Sequence, residues 1–309
     1  YLNRKLLFYL KGDFIMGLFN FNKNKKNNIK DENDKKYRII EREIKNFSKS
    51  KLNKCLKDAE YIAIKAGKYS LKYFGAPRKV SKKGKTDLFT EIDLKNEETI
   101  KKYLTKKYPK FAFLGEESNS FEDKDFSWIV DPIDGTSNFI HGYPFYCVSI
   151  GLAYKGYPIL GVVYAPLTNS VYKAHIKSKA YKNGKVINVS SSAKLIESLI
   201  ITGFYYNTAT DENFLNNRMI DFENMVRKSL AVRRDGSAAL DICMVAEGAA
   251  DGFFEFGLSA WDICASTIIL KRAGGLITNI NMKEYDIFSK KQYIASNKKI
   301  HKEMVKTLE

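Results

Sequence analysis

The 309-residue sequence predicts a layered α/β protein made of two subdomains, and three features carry that expectation. Two amphipathic helical stretches come first, a series of short apolar runs separated by turns follows, and the last part alternates apolar runs with helical periodicity. An apolar fraction of 44%, with 19 Tyr and 20 Phe, suffices for a large core.

In chain order, Leu52, Cys55, Leu56, Ala59, Ile62, Ala63, Ala66 and Tyr69 recur at helical spacing, and Gly75-Ala-Pro77 ends that first helix. A basic loop over Val80 to Lys85 is expected next. Thr86-Asp87-Leu-Phe-Thr90-Glu-Ile-Asp93 then leads into a second helix that runs through Ile100 and Leu104 toward Pro109, with Asp93 as its expected N-cap. Phe111-Ala-Phe-Leu114 reads as a strand. It ends in Gly115-Glu116-Glu117-Ser118, so two acids stand at its carboxyl end.

Trp128-Ile-Val130 is the next strand, expected to stop at Asp131 because Pro132 blocks both a helix and further ladder pairing. Val148 to Ala153, Gly161 to Tyr164 and Val171 to Ala174 follow as strands, with Tyr154-Lys-Gly-Tyr-Pro158 as one connecting turn. Asn183-Gly184 closes a hairpin, since both residues tolerate positive φ. Val189-Ser-Ser-Ser-Ala193 marks the subdomain boundary, giving an N-terminal α+β unit over 47–190 and a C-terminal α/β unit over 191–309. Within the latter, strands at Leu199 to Thr202, Ala231 to Arg233, Gly252 to Glu255 and Leu276 to Thr278 alternate with helices. Those helices fall near 212–228, from Ser237 to Glu247 and from Trp261 to Ala273.

Residues 1–46 are polar and nearly free of core periodicity, which predicts a flexible basic extension. The net charge of +17 concentrates there: residues 1–54 hold 15 Lys/Arg against 6 Asp/Glu, or +9 of the total. Contact of this arm with nucleic acid or an anionic membrane is one reading, and solvated lysines are the plainer account of the excess elsewhere. Leu6 to Leu10 with flanking basic residues leaves organelle targeting open, and Met16-Gly17 could be an internal start. Cys55, Cys147, Cys243 and Cys264 show no paired spacing, so reduced thiols in a cytoplasmic setting are expected. No run of 18 apolar residues exists, and a membrane-spanning helix is not predicted.

The chemistry converges on Asp131-Pro-Ile-Asp134-Gly-Thr136. Two carboxylates beside the start of a short helix repel each other unless a cation lies between them, whereas the free N–H groups at that start attract an anion. An Asx/Pro turn that simply caps a helix explains this stretch alone equally well. Asp262, in the first turn of a later helix, and Gly274-Gly275 after it are likewise ordinary in isolation.

Together, Glu116-Glu117, Asp131-Pro-Ile-Asp134-Gly-Thr136, and Trp261-Asp262 followed by Gly274-Gly275 resemble the signature of the inositol monophosphatase family of magnesium-dependent, lithium-sensitive phosphatases. Asn138 to Phe145, Val148-Ser-Ile-Gly151 and Arg234-Asp-Gly236-Ser-Ala-Ala-Leu-Asp241 resemble the inositol monophosphatases proper, and the likeness spans roughly residues 50–309. The resemblance implies an αβαβα sandwich, a homodimer, and hydrolysis of myo-inositol monophosphate by metal-activated water. It implies two or three Mg²⁺ ions per site. Glu116, Asp131 and the Ile133 carbonyl would hold one, and Asp131, Asp134 and Asp262 another. Glu116 and Thr136 would orient the water, with Asp93 behind Thr136. Asp134, Gly135, Thr136, Gly236, Ser237, Ala238, Glu255 and Asp262 would contact substrate, and Asp87, Glu117 and Lys82 are accessory positions. Histidinol phosphate, fructose 1,6-bisphosphate, NADP and 3′-phosphoadenosine 5′-phosphate are the alternative substrates. His141, His175 and His301 form no ligand motif and are expected to be structural.

Overall fold

The computed structural model describes residues 39–40, 42–44, 47–76, 79–82, 88–118, 122, 124–204 and 211–309. Asp87 and most of the 1–46 extension lie outside the described residues. The extension's last turn differs from the flexible arm predicted for it: Ile40 and Ile44 are buried against the first core, and Glu43 reaches Lys155 at 3.2 Å. Two isoleucines four apart are enough to dock a helical turn.

Helix α1 (Lys49–Ser70) begins where the Ser48 hydroxyl accepts the Lys51 N–H at 3.2 Å. All the apolar positions read from its periodicity are buried except Tyr69, which is half-buried. Where a loop was expected, β1 (Val80–Lys82) pairs antiparallel with β2 (Leu88–Thr90). Lys82 is the last residue of β1. Helix α2 (Glu91–Lys107) is capped by Thr90 and not by Asp93. Asp93 sits at the third helical position, where its Oδ2 accepts the Thr90 N–H at 2.8 Å and the Thr90 hydroxyl at 2.5 Å, a reciprocal capping box.

The first sheet has seven strands in sequence order: β3 (Ala112–Gly115), β4 (Phe126–Asp134), β5 (Cys147–Tyr154), β6 (Tyr157–Ala165), β7 (Ser170–His175), β8 (Tyr181–Lys182) and β9 (Lys185–Val186). β3 is parallel to β4 and every other pair is antiparallel. Asn183 and Gly184, at φ +48° and +79°, close the last hairpin as predicted. β4 does not stop at Asp131. It passes Pro132 through a bulge, because Asp131 pairs with Ser149 and Asp134 with Cys147, so that Pro132 and Ile133 face Val148 alone. The bulge spares Pro132 the ladder bond that it cannot donate.

The second sheet runs β11-β10-β12-β14-β13, from β10 (Leu199–Thr202), β11 (Ala231–Arg233), β12 (Gly252–Phe256), β13 (Leu276–Thr278) and β14 (Gln292–Ser296). β10 is parallel to β11 and β12, whereas β14 is antiparallel to both its neighbours. The remaining helices are α3 (Thr136–His141), α4 (Glu212–Lys228), α5 (Ala238–Ala246), α6 (Ala260–Arg272) and α7 (His301–Leu308).

Period-2 alternation divides these elements into an αβαβα sandwich. Trp128, Val130, Val148, Ile150 and Leu152 face α1, while Ile129 and Cys147 face the central layer of α5 and α6. On the second sheet Phe253, Tyr293 and Ala295 face that same layer. Ile200, Phe254 and Ile294 point outward to Met225 of α4 and to Met304, Val305 and Leu308 of α7. Gly151 and Gly161 are cross-strand partners, and a Cβ at Gly161 would lie 2.1 Å from the Ala265 carbonyl oxygen. Two bare positions thus let α6 rest its backbone on the sheet, with Asp262 three residues before Ala265.

Candidate active site

The carboxyl end of β4, the start of α3 and the first turns of α5 and α6 enclose a cavity of about 180 Å³. Glu116, Asp131, Ile133, Asp134, Gly135, Thr136, Gly236, Ser237, Ala238, Glu255 and Asp262 all line it. Residues separated by more than 140 positions in sequence are therefore neighbours here.

Each acid is aimed by local structure. The Ile133 N–H donates to Asp131 Oδ1 at 2.9 Å across the bulge. Asp134 Oδ2 accepts the Ser237 hydroxyl and the Ala239 N–H, both at 2.7 Å, so the end of β4 is fastened to α5. The thiol of Cys147 donates weakly to the same oxygen at 3.7 Å. Asp262, at the third position of α6, accepts the Ser259 N–H at 2.7 Å in a second capping box. Thr136 donates its one hydroxyl proton to Ile133 O at 2.9 Å or to Asp93 Oδ1 at 3.2 Å.

One face of α2 braces these loops. Asp93, Asn96 and Glu97 are all buried, at the i, i+3, i+4 spacing of a single stripe. Asp93 reaches Thr136, the Asn96 amide donates to Pro132 O at 3.4 Å, and Glu97 Oε2 accepts the Glu117 N–H at 2.8 Å. Glu97 also lies where a Cβ on Gly115 would be, which fixes the turn that bears Glu116. Opposite, the Asn138 amide donates to Phe145 O and Asp235 O, both at 2.7 Å, and pins the 235–237 loop to α3. Gly135 and Gly236, at φ +93° and +87°, supply the two turns, and a Cβ on Gly135 would crowd the Gly236 carbonyl at 3.2 Å.

Asp131, Asp134 and Asp262 each offer a carboxylate oxygen within 4.8 Å of the other two. Burial and the neighbouring carboxylates Glu116, Asp134 and Asp262 hold the Asp131 carboxyl well above its ordinary range. Asp262 is raised in the same way, first by burial and then by Asp134 and Glu116. Burial raises Asp134 to about 6 against the pull of its hydrogen bonds, and raises Asp93 to about 6. Such a group of acids resists ionisation unless positive charge is added. With oxygen donors only, and no histidine or thiol among the three, the set fits a hard divalent cation.

Nine further positions line the cavity and carried no expectation of contact, Gly203, Arg234, Asn138, Asp241 and Leu258 among them. Gly203 shows why: its role is to leave room, since a Cβ there would lie 2.1 Å from Glu255 Oε2. Asp87 lies outside the described residues, and the placement of Lys82 is described for its backbone alone. His175 and His301 are fully buried and bonded to Asn53 in one case and to Thr278 and Ser296 in the other, whereas His141 is exposed. All four cysteines are buried free thiols.

The model of the inositol monophosphatase family matches residues 51–309. Inositol-1-monophosphatase of Synechocystis is 37% identical over 265 residues, covering 85% of this chain and 91% of its own length. Fructose-1,6-bisphosphatase/inositol-1-monophosphatase of Aquifex aeolicus is 35% identical over 253 residues, 81% of this chain and 93% of that protein. Among solved structures, an IMPase from Thermotoga maritima superposes with a TM-score of 0.75 at 36% identity, over 84% of this chain and 96% of the other.

Proposed function

The chain belongs to the inositol monophosphatase family of metal-dependent phosphatases, and on that premise we propose that it hydrolyses myo-inositol monophosphate to inositol and phosphate. The observation that carries the reading is the three-carboxylate cluster of Asp131, Asp134 and Asp262 in a cavity that Glu116, Glu255 and Ser237 also line.

Mg²⁺ is the cation that this donor set fits, two or three per site. Glu116, Asp131 and the Ile133 carbonyl would hold one, and Asp131, Asp134 and Asp262 another. The chemistry such an ion would supply is neutralisation of phosphoryl charge, a lowered pKa for water and stabilisation of the leaving alkoxide. The protein's own groups do the rest. Thr136, held by Asp93 and Ile133 O, orients the attacking water together with Glu116, which takes up its proton. The N–H groups of Gly135 and Thr136 receive phosphoryl oxygens, and Asp134, Ser237, Ala238 and Glu255 meet the polyol. Glu117 is tied to Glu97 and acts on the water only through that turn. A homodimer in the cytoplasm accords with the family likeness and with the four free thiols.

A second reading, a sugar bisphosphate as substrate, is favoured by the Aquifex relative's name and by Arg234, an exposed cation on the cavity wall. Phosphate release from inositol 1-phosphate, fructose 1,6-bisphosphate, histidinol phosphate, NADP and 3′-phosphoadenosine 5′-phosphate, with and without Mg²⁺, separates the two. Magnesium-dependent preference for the inositol ester is expected. Preference for fructose 1,6-bisphosphate would replace the substrate and keep the chemistry, and no release from any ester by folded protein would end both readings.

A further inference from the structure

A second cavity, of about 720 Å³, opens where α1, the turn after β7 and the last turn of α6 meet. Its charge is one-sided. Lys49, Lys57, Lys173, Lys177, Lys179 and Arg272 line it, and Glu60 is the single acid among its described lining residues. Helical spacing builds the α1 wall, since Lys49, Asn53, Lys57 and Glu60 stand at i, i+4, i+8 and i+11 on one stripe. His175 fastens the opposite wall to it. Fully buried at the end of β7, this residue accepts the Lys177 N–H on Nδ1 at 3.0 Å, which leaves Nε2–H to donate to Asn53 Oδ1 at 3.0 Å. The Arg272 Nε–H donates to the Ser178 carbonyl, so α6 is held to the same turn.

The cations outnumber what the fold itself can balance. Glu60 is taken up by Lys173, which donates to both of its carboxylate oxygens at 2.7 Å. Among the described residues no carboxylate pairs with Lys49, Lys57 or Lys179. Arg272 suits the last turn of α6, but Lys49 stands in the first turn of α1, where no acid is present and the helix dipole disfavours a cation. Burial, and after it the charges of Lys49, Arg272 and Lys177, lower His175 to about 4 and keep the ring neutral. Three of the six cations are thus gathered about one buried imidazole. Like charges gathered round a concave wall repel one another unless an anion enters.

We propose that this cavity is a binding site, separate from the active site, for a small ligand that carries a chain of phosphates, of the class of inorganic triphosphate and the nucleoside triphosphates. Lysine ammonium groups pair with phosphate oxygens as point charges, and a chain of phosphates reaches cations on three elements where a lone carboxylate cannot. The volume is that of a small-molecule site. Tyr181 is the one exposed ring on the wall, which offers no row of aromatic faces for successive bases and so favours a free ligand over a nucleic-acid strand. Asp262 and Arg272 lie near opposite ends of α6, ten residues or about 15 Å apart, so the two sites share no ligating group.

The test is calorimetric titration of the full chain in Mg²⁺ with inorganic triphosphate and with ATP. Four proteins are compared: wild type, K57Q/K179Q, K302Q/K306Q on the exposed face of α7, and D134N. K57Q/K179Q should bind both ligands about tenfold or more weakly, while K302Q/K306Q and D134N stay within about twofold of wild type. Lys57 and Lys179 are exposed, so the pair should keep the wild-type melting temperature and the wild-type release of phosphate from inositol 1-phosphate. ATP bound more tightly than triphosphate would add a contact to the nucleoside, and equal affinity would assign the site to the phosphates alone. Equal weakening in the two lysine pairs would reduce the effect to net charge and overturn the proposal. So would binding that D134N loses and K57Q/K179Q keeps, which belongs to the active site. Absence of binding by the wild-type protein overturns it outright, and oligouridylate held more tightly than ATP through Lys57 and Lys179 would replace the ligand with a nucleic acid.

Discussion

At the metal end of the cavity, Asp131, Asp134 and Asp262 are each fixed by at least one hydrogen bond from the protein, through a bulge, a helix start or a capping box. At the other end, Asp241 has an orphan oxygen, and Glu255 lies against the bare Cα of Gly203, its carboxyl raised to about 8 by burial and by Asp134. One end is held by protein hydrogen bonds and overloaded with negative charge, while at the other a carboxylate occupies room that a missing side chain leaves. The difference teaches where each kind of recognition belongs. Cation geometry tolerates little movement, so its ligands are locked in advance, whereas the second end is shaped by the space that Gly203 leaves for Glu255.

The hardest blow to the rigid end is Asp134→Asn. It removes a carboxylate charge while keeping side-chain volume, and phosphate release should fall by about a thousandfold or more with the circular dichroism spectrum unchanged. Near-normal turnover would remove Asp134 from the metal end. Chelation should abolish activity to the same extent, with recovery on adding Mg²⁺ and not on adding NaCl.

Gly161→Ala attacks the same end from a distance. The new Cβ would meet the Ala265 carbonyl, so α6 must lift and carry Asp262 with it. Stability should drop by about 1–3 kcal/mol in urea unfolding, and half-activation should need several times more Mg²⁺. A loss of stability with unchanged metal dependence would mean that α6 moves without its first turn.

Gly203→Ala should touch the other end only. Its Cβ would displace the Glu255 carboxylate, raising KM for inositol 1-phosphate roughly five- to tenfold while the Mg²⁺ requirement stays put. A change in both would mean that the ends are not separable.

The smallest effect near neutrality is a control that touches neither end. Burial lowers His301 to about 4, so the folded state keeps it neutral while the unfolded chain takes up a proton below about pH 6.5. The stability that this gives is complete above pH 6.5 and is lost as pH falls through 4. The loss is under about 1 kcal/mol at pH 6 and roughly 3 kcal/mol at pH 4. Melting curves from pH 7 to pH 4 should show that slope reduced in His301→Gln, with activity at pH 7.5 unaltered in both proteins.

The sequence by itself determined whatever is encoded within a turn or two of chain. The stripe of α1, the Asn183-Gly184 hairpin, the bounds of α4 and the acids of Asp131 to Asp134 were legible because helical periodicity, positive-φ turns and Pro/Asp spacing are local properties. Tertiary structure decided what depends on pairing at long range. Asp93 reads as a cap until Thr90 is seen to take that place, which leaves Oδ1 of the carboxylate to reach Thr136 while Oδ2 closes the capping box. Pro132 reads as a strand end until the partner strand β5 absorbs it in a bulge. The burial of the polar Glu97 and Asn96, the pairing of Gly151 with Gly161, Gly203 under Glu255, and the orphan oxygen of Asp241 cannot be read from neighbouring residues. Their meaning lies in what another segment places against them: a close backbone, a carboxylate needing room, or a donor that never arrives.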